Sequence, residues 1–130
     1  LFPYRRSSDL YIAVYTNRVD VRKMADDLHL KQEDAIRQNL AQTVDTTTQA
    51  VLAKIGAENV STTQEERALD GKPAVVRSAA FTYEKKSMRA RLLGFSDGPV
   101  TWIVVVACDE NKDDKIKLAD EIIDSVSLQP

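Results

Sequence analysis

Residues 68–83 read ALDGKPAVVRSAAFTY, and the fold turns on the pair Asp70-Gly71 near the start of that stretch. A tight two-residue hairpin turn needs positive φ at both central positions, which Asp and Gly tolerate. Val60–Leu69 precedes the pair and Pro73–Tyr83 follows it, both in the short β-rich texture of strands. A hairpin is therefore expected here. The small residues Ala74, Ser78, Ala79 and Ala80 in its second strand would let a helix pack close to the sheet.

Working outward, Lys85-Lys86-Ser87 turns the chain into a strand from Met88 to Phe95, and Ser96-Asp97-Gly98-Pro99 turns it again. Val100–Cys108, VTWIVVVAC, is the most apolar segment. Both of its alternating faces are apolar, which predicts a central strand covered on both sides, with Trp102 in the core. Upstream, Leu10–Thr16 (LYIAVYT) reads as a strand. Val21, Met24, Ala25 and Leu28 then share one helical face, and a long helix is predicted from Gln32 to Lys54. Its stripe is Ile36, Leu40, Val44, Val51 and Ile55, with Thr47 filling the missing step and Gly56 at the C-cap. Downstream, Ile116, Ala119, Ile123 and Val126 line a closing helix. The fold class is α+β: an αβα sandwich with a mostly antiparallel sheet of about five strands, a long helix after the first strand and a C-terminal helix.

The first ten residues, LFPYRRSSDL, resemble a translated sequencing adapter with one base lost between LFPY and RRSSDL. Residues 1–10 are accordingly expected to be non-native and poorly packed. Residues 11–130 are then a single domain truncated at its N-terminus. The chain carries 18 Lys+Arg and 20 Asp+Glu. Without Arg5, Arg6 and Asp9 the balance is still acidic, which argues against a nucleic-acid partner or a general anionic-membrane surface. With 43% hydrophobic and 29% charged residues the composition is that of a globular domain. The single cysteine, Cys108, assigns no redox compartment.

The layout resembles the PsbP/Mog-like α/β sandwich, a group that includes the DcrB-type bacterial envelope lipoproteins. The segments that carry the resemblance are YIAVYTN (11–17), AKIGAEN (53–59), ALDGKPAVVRSAAFTY (68–83), TWIVVVAC (101–108) and EIIDSVSL (121–128). Such proteins dock onto a photosynthetic complex, bind a small GTPase or reside in the periplasm. The resemblance implies a non-enzymatic module of the cell envelope that binds another protein, with a membrane tether supplied by the missing N-terminus.

Four local patterns are candidates for chemistry. Asp109, Asn111, Asp113 and Asp120 occupy positions 1, 3, 5 and 12 of an EF-hand-like spacing, the alternative reading being a calcium-responsive domain. Asp114 stands where that loop needs glycine, Asp120 is shorter than the usual glutamate, and a strand precedes the loop. The simpler expectation is that Asp113 or Asp114 caps the last helix. Lys85, Lys86, Arg89 and Arg91, with Arg77 nearby, form a cationic cluster suited to an acidic partner or to a solubilising rim. Cys108 with His29 would be needed for a small cysteine-dependent enzyme, although a packed cysteine and a polar helix-end histidine are the commoner roles. Tyr11, Tyr15, Phe81, Tyr83 and Phe95 are the aromatic candidates for lining a pocket. No phosphate loop, hydrolase elbow, zinc spacing or nucleotide fingerprint occurs, so no catalytic residue and no cofactor are expected.

Overall fold

The computed structural model describes residues 10–126; the adapter-like segment and the last four residues lie outside them, apart from Leu10. Five strands form one antiparallel sheet in the order β1-β5-β4-β3-β2. In chain order these are β1 (Leu10–Arg18), α1 (Val21–Leu28), α2 (Gln32–Lys54), β2 (Glu58–Leu69), β3 (Lys72–Tyr83), β4 (Lys86–Asp97), β5 (Val100–Asp109) and α3 (Asp113–Ser125).

The local rules that define these elements are mostly those expected. Asp70 and Gly71 take φ of 51° and 81°, the positive pair that a tight hairpin requires. The β3–β4 turn is built the same way from Glu84 and Lys85, so it sits one residue earlier than the sequence suggests. Asp20 caps α1 through Oδ1, which accepts from the Lys23 amide at 3.0 Å. His29 ends that helix in the left-handed region, its amide bonding back to Ala25 and Asp26. Gly56, at φ 72°, ends α2. Its amide bonds Ala53 and the Ala57 amide bonds Leu52, the paired pattern of a Schellman cap.

Register divides the sheet into an inner face under α2 and an outer face under α3. Ala13, Val75, Ala79, Phe81, Met88, Ala90, Leu92, Ile103, Val105 and Ala107 meet Leu40, Val44 and Leu52 on the inner side. Leu10, Ala74, Val76, Leu93, Phe95, Val106 and Cys108 meet Ala119 and Ile123 on the outer side.

Three details differ from expectation. First, β4 is the middle strand, while β5 lies between β4 and the edge strand β1. The Val105–Cys108 half of β5 is buried on both faces, but Trp102 is 36% exposed rather than core. Second, the buried stripe of α2 is Ala35, Leu40, Val44, Thr48 and Leu52, which keeps Leu40 and Val44 of the predicted stripe but buries Ala35 and Leu52 more fully than their neighbours Ile36 and Val51. Thr48, not Thr47, fills the missing step, and its hydroxyl donates to the Val44 carbonyl at 2.7 Å, so it is buried with its donor satisfied within its own helix. Ile55 and Leu28, predicted on apolar faces, are exposed. Third, α3 begins after Lys112, which makes no side-chain cap; Asp113 and Asp114 lie inside its first turn and favour its positive end from there.

Candidate functional site

The acidic positions are drawn to different partners. Asp109 Oδ1 accepts from the Asn111 amide at 2.8 Å, closing a local turn. Asp113 opens α3, and Asp120, about two turns further on, faces the sheet and meets Arg91 Nη1 at 2.7 Å. Among the described residues no group of three or more His, Cys, Asp or Glu side chains is placed to hold a metal ion.

The cationic cluster is likewise divided. Strand parity puts Lys86 on the inner side of β4 and Arg89 and Arg91 on the outer side, while Lys85 sits in the turn. Arg89 lies 3.6 Å from Glu110, and Arg91 bridges Asp120 and, at 3.5 Å, Glu65. Arg67 continues this network to Asp124 at 3.0 Å and Glu65 at 3.3 Å. Burial works against the charge on Arg67, but these two carboxylates outweigh it and hold the guanidinium above its ordinary pKa. On the inner face Arg77 reaches Asp45 of α2 at 3.3 Å and donates to Thr62 and Gln64. The arginines therefore serve mainly to tie helices to the sheet.

Cys108 is buried on the outer face beneath α3, whereas His29 ends a helix packed on α2 in the opposite layer. Burial pushes the thiol pKa up; Arg89 opposes the shift, and Asp120 and Asp109 add to it. Such a thiol stays protonated at neutral pH and is a poor nucleophile. The sign of the linkage follows from the raised folded value. The unfolded chain loses this proton first, so the stability it contributes is full below the unfolded pKa and declines as pH rises past it. Thermal melts between pH 7 and 10 should show the wild type losing stability above about pH 8.5 more steeply than Cys108→Ala. Parallel curves would contradict the assignment.

Two apolar features remain, and neither was assigned from sequence. On the outer face α3 starts at the end of β5 and lies over β5 and β4, and its far end reaches β2 through the Asp124–Arg67 pair. This diagonal leaves the β1–β5 corner uncovered. Ile12, Val14 and Trp102 are exposed there, with Val104 half-buried among them. Register sets Val14 opposite Val104 and Thr16 opposite Trp102, so the apolar groups are neighbours. Helical geometry also turns Leu118 and Ile122 to the flank of α3 away from Asp120 and Asp124, towards this corner.

On the inner face a cavity of about 230 Å³ lies between the C-terminal half of α2 and the sheet. Pairing aligns Ala79, Ala90 and Ala107 across three neighbouring strands, with Tyr11 next in the row on β1. Ala90 and Ala107 form the sunken floor, Phe81, Met88, Leu92 and Val105 the walls, and Thr48 and Leu52 part of the roof. The half-exposed Tyr11 and Tyr83, with Ile55 at the end of α2, mark the mouth. Of the aromatic candidates, Tyr11, Phe81 and Tyr83 thus share a pocket. Tyr15 belongs to a separate polar cleft beside Asn39 and Thr43, and Phe95 to the outer core.

No described protein family matches the chain, and no curated protein does. The fold does have solved counterparts. A Pseudomonas aeruginosa protein of unknown function, PA94, described as a putative regulator, superposes with a TM-score of 0.52 at 10% identity, covering 100% of this chain and 97% of that one. Cyanobacterial PsbP (CyanoP) from Synechocystis sp. PCC 6803 superposes with a TM-score of 0.54 at 14% identity over 90% of this chain. This chain spans 65% of the CyanoP chain. At these identities the likeness is one of architecture, and the sandwich seen here is PsbP-like.

Proposed function

We propose that this domain is a non-enzymatic protein-interaction module of the bacterial cell envelope, and that it receives its partner protein on the uncovered corner of the outer sheet face. The observation that carries the reading is the contiguous surface of Ile12, Val14 and Trp102 beside α3. Single exposed apolar residues are ordinary, but a group on paired strands that includes a tryptophan has the composition of an interface centre. The charged groups of this face, Arg91, Arg67 and their carboxylates, pair with one another on the other flank of α3 and leave the corner itself apolar.

Support for the envelope setting is the resemblance to DcrB-type lipoproteins, and support for a role exercised through a partner is the PsbP-like architecture shared with a putative regulator. The acidic net charge favours a protein partner over nucleic acid.

A photo-crosslinking amino acid placed at Val14, in cells carrying the native gene with its upstream sequence, should give one discrete adduct. The same group at Glu66, on the opposite edge strand, should give none. A Val14 adduct of twice the chain's mass would identify a second copy as the occupant. No adduct, or equal labelling from both sites, would sink the interaction surface. Recovery of the protein with the cytoplasmic fraction after osmotic shock would sink the envelope placement.

A further inference from the structure

We infer that the inner-face cavity is a binding site for a small, uncharged, largely apolar molecule about the size of one substituted aromatic ring. The site lies on the opposite side of the sheet from the proposed partner surface, so the two readings stand or fall separately.

Its size and chemistry define the ligand. An apolar cavity of about 150 Å³ in another protein stays dry and accepts benzene. At about 230 Å³ this one is larger, yet below the usual range for drug-sized ligands, about 300–1,000 Å³. No charged side chain lines it. Thr48, the one hydroxyl-bearing residue of the roof, has already given its proton to the Val44 carbonyl. An ionised ligand would therefore be desolvated with no counter-charge to meet it. The tyrosines at the mouth give the entrance an amphipathic edge, suited to a molecule with an apolar body and at most a small polar end.

The fold also explains why the space stays open. The floor is low because register sets Ala90 of β4 beside Ala107 of β5. α2 is seated against the sheet nearer its N-terminal end, where Val44 and Leu40 lie against Gly94. Beyond that seat a straight helix and a twisted sheet diverge, so the C-terminal half of α2 cannot settle onto the alanines.

The chain has two methionines, one at the cavity and one on α1, which provides an internal control. With methyl-¹³C methionine and toluene as the probe, the Met88 signal should shift saturably while the Met24 signal stays fixed. Ala107→Leu, which fills the floor, should abolish the Met88 shift, and benzoate should bind at least about tenfold more weakly than toluene. Methyl signals that move together without saturation, or neither moving, overturn the proposal, as does benzoate binding as tightly as toluene. If Ala107→Leu does not fold, the wild-type titration decides the matter alone.

Discussion

Gly94→Ala should destabilise the domain by about 1–3 kcal/mol, a large effect for one added methyl group. Gly94 sits in β4 between Val75 and Ile103, facing α2. A Cβ there would overlap Val44 Cγ2, with Val44 Cβ at 3.8 Å and Leu40 Cδ2 at 3.9 Å close behind. Val44 is fully buried, and a β-branched side chain on a helix has little rotamer freedom, so it cannot swing aside. The helix itself must lift. Val44→Ala should relieve the overlap at its own cost of about 2 kcal/mol, from the space it leaves in the wild-type background. The double variant should consequently be more stable than the sum of the two single losses predicts, by about 1 kcal/mol or more in denaturant unfolding. Additive losses would show that this contact does not set the helix height.

Ile123→Ala should be comparably severe, at about 3 kcal/mol. Ala119 and Ile123 are the fully buried residues of α3, with Ile116 and Ile122 partly buried beside them, and Ile123 is 1% exposed. Its polar ties, Asp120 to Arg91 and Asp124 to Arg67, join partly exposed groups and contribute modestly. Removing the isoleucine thus takes away the largest fully buried side chain that holds the helix down. Amide exchange in α3 should accelerate well before exchange in α2, while Leu118→Ala, at an exposed position of the same helix, should change stability by less than about 0.5 kcal/mol. Uniform acceleration across both helices would mean that α3 unfolds only with the whole domain.

The elements whose formation depends on neighbouring residues were legible in the sequence. Asp70-Gly71, Gly56 and the apolar spacing around Leu40 and Val44 specify a turn, a cap and a helix face through chemistry contained within a few positions. What depends on the arrangement of elements was not. Thr47 and Thr48 are alike in composition, and only the seating of α2 on Gly94 decides which one is inside. Trp102 reads as core because its neighbours in the chain are apolar, but its exposure is set by the diagonal path of α3. The cationic cluster failed to form a common surface for a similar reason: carboxylates distant in sequence, Glu65 and Asp120, claim Arg91. The cavity has a sequence signal that could have found it, the alanines at 90 and 107, but they become neighbours only once strand register is known. The resemblance to PsbP-like proteins captured the architecture, whose solved counterparts share 10% and 14% identity with this chain.

The position of β1 at the sheet edge, beside β5, has a kinetic consequence. Strands β2, β3 and β4 each pair with the strand that follows and can close hairpin by hairpin, whereas Leu10 must find Cys108 and Arg18 must find Val100. Loop-closure entropy delays such a distant pairing. During synthesis β1 leaves the ribosome ahead of β2 to β5 and is the last of the five to gain a partner. Until β5 has emerged, its Ile12 and Val14 side chains stay open to other chains, the state in which an unpaired apolar strand is most prone to aggregate.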